Sequence, residues 1–311
     1  MISIALATYN GEKYLKQQLD SIFSQTYPDF ELIIGDDCSK DNTINIINEY
    51  ISKGKKIKLI QNTSNLGFKK NFESIISHCN GDYIAFCDQD DIWTNDHLEV
   101  LINNIENNLL ICANAALIAQ DSTNLGLTTK ECYLIPDSLN SDNALAYLLH
   151  TNFCQGTASL ISKDLLKTAS PIPENIGFHD WWLALVSSLT KQIKYIDNIV
   201  LYYRQHNSSV TKSSKWNIKE AIIAHKKNKN IFFEKCTDRL IYIKNIMDLT
   251  SDSKNLNFII QAQNYYQNFI DKKYSKSKKY FKKNYKYLYW SKNNSIIIYL
   301  LRYIKLFYLH F

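Results

Sequence analysis

The feature that most constrains this chain is a strict alternation between two hydrophobic periods, running from the N-terminus to Cys87. Ile2 to Thr8 is a short apolar run, and Leu15, Leu19, Ile22 and Phe23 follow at spacings of three and four, as one face of a helix. A second run begins at Phe30, and Ile44, Ile47 and Ile51 mark a second helix. Residues 57–60 form a third strand, Phe68, Phe72, Ile75 and Ile76 a third helix, and residues 83–87 a fourth strand. Strand and helix in strict turn predict an α/β fold, a Rossmann-like, mostly parallel sheet with helices on both faces.

The pattern is less regular from Leu109 onward. Strands are expected near residues 111–119, 158–162 and 199–204, and helices near 143–150 and 180–189. Beyond Trp216 the chain reads as helical and basic: residues 271–290 interleave Lys with Tyr and Phe, and 296–311 are mostly apolar. The net charge of +6 conceals a division. From Lys212 onward 21 basic side chains face 6 acidic ones, which leaves 15 basic and 24 acidic in the first 211 residues. A basic half of this kind faces something anionic. No groove reader or stacking platform for nucleic acid is recognisable, whereas Lys mixed with Tyr, Trp and Phe at helical spacing suits a helix lying on an anionic membrane surface. A bundle packed on the first domain with a solvated Lys face is the plainer alternative.

Seven dispersed cysteines without a C-x-x-C pair predict a reduced, cytoplasmic protein. The N-terminus has no secretory pattern, and no apolar stretch reaches the ~18 to 20 residues of a spanning helix.

In parallel sheets, ligands bind beyond the carboxyl ends of the strands. Three polar clusters stand there: Thr8-Tyr-Asn-Gly-Glu12, Asp36-Asp-Cys-Ser-Lys-Asp41 and Asp88-Gln-Asp-Asp91. Packed carboxylates repel unless a cation neutralises them, and hard oxygen ligands suit Mg²⁺ or Mn²⁺ bridging to phosphates. Asp36 and Asp37 are placed to accept hydrogen bonds from a base or a ribose; an Asx turn with Ser39 and Asp41 is the competing reading. Asp180, in His179-Asp-Trp-Trp182, is either a carboxylate in a dry pocket with a raised pKa or an ordinary helix cap. His206 ends a strand-like stretch as an additional metal or phosphate contact, or as a structural residue.

Taken together, Ala7-Thr-Tyr-Asn-Gly-Glu, Leu19-Asp-Ser-Ile-x-x-Gln-Thr-Tyr, Asp36-Asp-x-Ser-x-Asp-Asn-Thr, Asn65-x-Gly and Phe86-Cys-Asp-Gln-Asp-Asp-Ile-Trp resemble family-two inverting glycosyltransferases of the GT-A fold. The likeness is nearest to bacterial rhamnosyltransferase-like members that build O-antigen and capsule, and His179-Asp-Trp-Trp and Tyr203-Arg-Gln-His extend it to about Val210. The resemblance implies a catalytic domain over residues 1–215, with a nucleotide-sugar half of about 1–110 and an acceptor half of about 111–215; the basic helical region over 216–311 has no strong counterpart in it. It implies that Thr8, Asn10, Glu12 and Asp37 hold the nucleoside end of the nucleotide-sugar donor, that Asp88 and Asp90 are a D-x-D pair binding donor and Mn²⁺ or Mg²⁺, with Asp90 nearest the metal and His206 the additional contact read above, and that Asp180 is the catalytic base. The implied partners are a nucleotide-diphosphate sugar, dTDP-L-rhamnose or a UDP-hexose, and a glycan or lipid-linked glycan at the inner face of the membrane. One departure stands out: Cys38 replaces the Gly common in Asp-Asp-Gly-Ser turns, which predicts strain if that position has positive φ. A nucleotidyltransferase would need a basic Gly-rich loop after the first strand, which is instead acidic with one Gly. A silent binding module would have lost its carboxylates.

Overall fold

The first strand, β1 (Ile2–Thr8), is apolar on both faces and almost wholly buried, as expected for a parallel strand covered by helices on each side. The computed structural model describes residues 1–206, 229–288 and 303. The polar stretch after Asn207, the start of the basic region at Trp216 and all of the apolar 296–311 segment except Tyr303 lie outside these residues.

After β1 come α1 (Leu15–Phe23), β2 (Phe30–Asp36), α2 (Thr43–Ser52), β3 (Ile57–Gln61), α3 (Phe68–Ile76) and β4 (Tyr83–Asp88), in the alternation that the sequence predicts. A short β5 (Ile92–Trp93), α4 (His97–Ile105), β6 (Leu110–Ile118), β7 (Asn124–Thr128), α5 (Thr129–Tyr133) and α6 (Ala144–Leu148) follow. Next are β8 (Ser159–Ser162), α7 (Leu166–Ala169), α8 (His179–Leu189) and β9 (Ile193–Arg204). The C-terminal region contributes α9 (Lys229–Met247), α10 (Ser253–Ile270) and α11 (Lys278–Leu288).

Among the described residues the strands form one sheet, ordered β3-β2-β1-β4-β8-β6-β9-β5, with β7 paired to β6. The four strands β3, β2, β1 and β4 are parallel, whereas β8 runs antiparallel to β4 and to β6. The expected strand near 199–204 begins earlier, at Ile193. Lys194, Asp197 and Asn198 interrupt its apolar pattern, and the register with β6 shifts between Cys112 and Ala115, which hides the first half from a periodicity count.

Side-chain alternation splits the core in two. Ile4, Leu6, Leu32 and Ile34 face α1, α2 and α4, while Ala5, Ile33, Ile84 and Phe86 face α3 and α8. The second cluster continues through Trp181 and Leu185 into Leu240, Ile243, Ile259, Phe269 and Phe281, so the C-terminal helices and the sheet share one core. In α11, Tyr280 and Phe281 point inward while Lys279, Lys282, Lys283 and Lys286 are exposed. No helix among the described residues is long and apolar enough to cross a membrane. All seven cysteines are free, and five of them are buried.

Candidate active site

Parallel pairing places the three acidic clusters side by side. Thr8 lies opposite Asp36 across the β1–β2 pair, and Ala7 lies opposite Asp88 across β1–β4. The loops beyond these ends are knitted together by their own side chains. Thr8 Oγ1 donates to Asp36 Oδ2 at 3.1 Å, and the Asp36 carboxylate also accepts the amide and hydroxyl of Ser39. The Asx turn is therefore real. Asp37 accepts the N–H groups of Leu66 and Gly67 and the amide of Asn62, all between 2.8 and 2.9 Å. Asn10 Oδ1 accepts the Lys40 N–H at 2.8 Å, and Glu12 accepts the backbone and side-chain N–H groups of Asn42. The four residues expected to hold the nucleoside thus meet at one rim, where each also shapes the loops. Asp37 and Thr8 are buried; Asn10 and Glu12 are exposed.

Cys38 has φ +68°, the left-handed conformation in which an L side chain is strained. The departure from Gly is therefore a local cost within the turn.

The β4 end is pinned from two sides. Gln89 exchanges two hydrogen bonds with the backbone of Tyr9, at 2.9 and 3.0 Å, and lies over Gly11, where any Cβ would clash with it. On the other side stands Arg204, the last residue of β9 and only 1% exposed. Its guanidinium donates to the Asp90 carbonyl at 2.7 Å, to Gln17 Oε1 at 2.7 Å and to Ser122 Oγ at 2.9 Å. Its own N–H is accepted by Asp91 Oδ1 at 2.9 Å, which turns Asp91 inward, away from any ligand. Two residues further, His206 Nε2 lies 2.7 Å from Asp90 Oδ2, and its ring stacks on Tyr14.

Asp88 carries no hydrogen-bond donor among the described residues. Burial, then the charges of Asp90 and Asp180, push its carboxyl up to about 7. Opposing charge is what such a group lacks. Asp88, Asp90 and His206 offer hard oxygen and imidazole donors of the kind Mn²⁺ or Mg²⁺ accept. Among the described residues, no three carboxylate, imidazole or thiol groups converge as a closed cage. Cations of this class are ordinarily held by one or two carboxylates together with substrate phosphates and water, so the Asp90–His206 pair suits an open site.

Asp180, in the first turn of α8, reaches the same rim from the second half of the chain. Its carboxylate accepts the Asn152 side-chain amide at 3.2 Å, the Gly156 N–H at 3.1 Å and the Trp181 N–H at 2.6 Å. Burial raises it to about 6 against the lowering effect of these donors. That value suits a base working near neutrality. A Cβ at Gly156 would meet the Asp180 and His179 side chains at 3.5 Å, ordinary van der Waals contact, so the approach does not depend on glycine. His179 itself is packed among Phe72 and Phe86 and held neutral, its value lowered by burial to about 4.

Thr8, Asn10, Glu12, Asp37, Asp88, Asp90 and His206 gather around the ends of β1, β2, β4 and β9, and Asp180 lies within electrostatic reach of Asp88. Gln89, Asn152 and Gly156 were not foreseen, and Arg204 was noted only as part of a motif. Gln89 fills the variable place between two aspartates, and Asn152 and Gly156 lie in irregular chain with no periodic signal.

A doubly covered α/β sheet with acidic strand ends and a buried carboxylate opposite them defines the GT-A class of glycosyltransferase folds. Residues 3–169, more than half of the chain, match the family model described as glycosyl transferase family 2, and the chain belongs to that family. It is 31% identical over 221 residues to the dTDP-rhamnosyl transferase RfbG of Shigella flexneri, covering 66% of this chain and 72% of that protein. An uncharacterized protein of Mycobacterium tuberculosis is 27% identical over 218 residues, and the match spans 68% of this chain but only 61% of the relative. Among solved structures, Staphylococcus aureus TarS in complex with UDP superposes with a TM-score of 0.58 at 20% identity, covering 86% of this chain and 70% of that one. The mannosyltransferase PcManGT of Pyrobaculum calidifontis, solved with GDP-Man and Mn²⁺, gives 0.59 at 15% identity, covering 85% and 69%. These likenesses establish the fold.

Proposed function

We propose that the protein is a divalent-cation-dependent, inverting glycosyltransferase that moves a sugar from a nucleoside-diphosphate donor to a hydroxyl of a growing cell-surface glycan. The observation that carries this reading is the approach of Asp180 to Asp88, the aspartate at the end of β4, close enough for its charge to act on that carboxyl. The strand ends of β1 and β2 receive the nucleoside, with Thr8, Asn10, Glu12 and Asp37 shaping the loops around it. Asp90, His206 and Asp88 would hold the cation, which would supply positive charge to the leaving diphosphate. Asp180 removes the proton from the acceptor hydroxyl as its oxygen bonds to the anomeric carbon and the bond to the diphosphate breaks. One in-line displacement inverts the anomeric centre, so no covalent intermediate on the enzyme is required.

The similarity to RfbG supports dTDP-L-rhamnose as the donor. Thermal-shift measurements with dTDP-, UDP- and GDP-sugars in the presence of Mn²⁺ test this. A shift confined to dTDP-L-rhamnose is expected, and a UDP-hexose-specific shift would replace rhamnose while leaving the rest intact. The exposed Lys row on α11 supports attachment to the anionic inner face of the cytoplasmic membrane. Full-length protein should sediment with anionic liposomes at low salt, and failure to do so makes these lysines a solvated face only.

A further inference from the structure

The C-terminal helices lie beyond the span that the family model covers, yet one of them grips the base's helix. Phe178, just before α8, is extended at φ −129° and ψ 121°, and no side chain caps the helix that follows. Its N–H is instead accepted at 2.8 Å by the hydroxyl of Tyr242 on α9, which turns back towards the Phe178 carbonyl at 3.4 Å. The Tyr242 ring packs on Trp181 with centroids 4.3 Å apart. Tyr242 and Trp181 therefore hold the chain on both sides of Asp180.

One turn earlier on α9, Arg239 reaches the other half of the Asp180 cradle. Its Nε donates to the His150 carbonyl at 3.0 Å, and its guanidinium lies 5.2 Å from the Trp181 ring. Trp181 Nε1 in turn donates to Leu148 O at 2.8 Å. The segment thus anchored runs directly into Asn152 and Gly156, which donate to the two Asp180 oxygens. A single helix face contacts both stretches of chain that aim this carboxylate.

We propose that Tyr242 is a positioning residue for Asp180, and that α9 serves as the clamp that aligns the base with the acceptor hydroxyl. This inference rests on Asp180 being the base. A bond of 2.8 Å that fixes the backbone two residues from a reacting group controls its direction directly. Misplacement of such a group by about 1 Å can cost roughly 10²-fold in rate.

The test compares three variants by nucleoside-diphosphate release from dTDP-L-rhamnose with Mn²⁺, or from whichever sugar nucleotide gives the thermal shift. Tyr242→Phe keeps the ring and removes the hydroxyl. The expected result is a fall in kcat of about ten- to a hundredfold, with donor KM and melting temperature close to wild type. The acid limb of the kcat profile should also move, because the Asp180 environment changes. Ser277→Ala is the control. It removes a buried hydroxyl bonded to the Tyr265 carbonyl at 3.1 Å, in the same helical region, and should leave kcat near wild type. Asp180→Asn checks the underlying reading. If Asp180→Asn is inactive while Tyr242→Phe keeps wild-type kcat and pH profile, the clamp is refuted and the base stands. Equal losses in Tyr242→Phe and Ser277→Ala would likewise refute it, since both would then report general packing. If Asp180→Asn turns over normally, the base assignment falls and the clamp falls with it.

Discussion

The two halves of this rim are built by different rules. On the nucleotide side, Thr8, Asp36 and Asp88 meet because β1, β2 and β4 are parallel neighbours in register, each ending at the same level. On the Asp180 side, the cradle comes from Asn152, Gly156, Trp181 and, at one remove, Tyr242, and no repeating unit relates them. The first arrangement follows from a pattern repeated along the chain, whereas the second exists only when distant segments dock. Arg204 belongs to the first, reaching Asp90 from the strand that precedes His206.

The largest expected effect breaks the second half. Asp180→Asn keeps the size and most hydrogen bonds but cannot take a proton at neutral pH. Its kcat should fall by ~10²- to 10⁴-fold with donor affinity retained, as measured by turnover and donor titration on the same preparation. A plain helix cap would lose almost nothing, because Asn caps as well as Asp. The same group sets a pH dependence. Burial holds Asp180 at about 6, so turnover should decline as pH falls through that value, where an ordinary aspartate would persist to about 4. Stability has the opposite sense. The folded protein binds the proton more tightly than the unfolded chain, so stability drops as pH rises from about 4 to about 6 and then levels. The melting temperature of Asp180→Asn should therefore rise relative to wild type as pH goes from about 4 to about 6 and hold a constant difference above that, read by calorimetry across this range.

Next in size is the nucleotide side. Asp90→Ala should abolish cation-dependent donor binding while the fold survives, since the Asp90 backbone carbonyl, which holds Arg204, is unchanged. Calorimetric titration of donor with and without Mn²⁺ reads this directly, and wild type in excess EDTA should behave likewise. Arg204→Lys sharpens the comparison because it loosens the nucleotide side alone. Lysine cannot reproduce bonds to Asp90, Gln17 and Ser122 from one buried head group, and a loss of about 1–3 kcal/mol is expected in denaturant unfolding. Mn²⁺ should also be needed at higher concentration, because His206 follows two residues later. The smallest effect is favourable. Cys38→Gly relieves the left-handed backbone at φ +68°, which costs an L residue ~1–2 kcal/mol. Glycine's extra unfolded-state entropy offsets part of this, leaving a gain below about 1 kcal/mol. A small rise in melting temperature with unchanged turnover is the expected reading.

Legibility followed the same division. The alternation of Ile2, Ile4 and Leu6 with Ala5, and the helical spacing of Leu15, Leu19 and Ile22, carried enough information to place four strands and three helices in order. The acidic strand ends were legible because parallel topology leaves them nowhere else to go. By contrast, α4 and the β7 pairing went unnoticed, and β9 was found only in its second half, where the apolar pattern resumes. Asp180 was legible as a residue through its aromatic neighbours, but its partners Asn152 and Gly156 were not, since an irregular loop carries no period to read.

Taken alone, the sequence determined the α/β alternation, the level at which carboxylates gather, and the residue types available to a cation and to a base. Those follow from short-range physics: hydrophobic period sets the element, and the element sets where its ends point. The tertiary structure decided which carboxylates are free to act. It turned Asp91 inward onto the Arg204 amide, left the Asp88 carboxylate without a hydrogen-bond donor among the described residues, and wrapped Asp180 in three. It also carried the aromatic, lysine-rich C-terminal helices into the same core as the sheet, and set Tyr242 against the start of α8. Burial and hydrogen-bond satisfaction depend on neighbours far away in the chain, and only the folded packing brings those neighbours into contact.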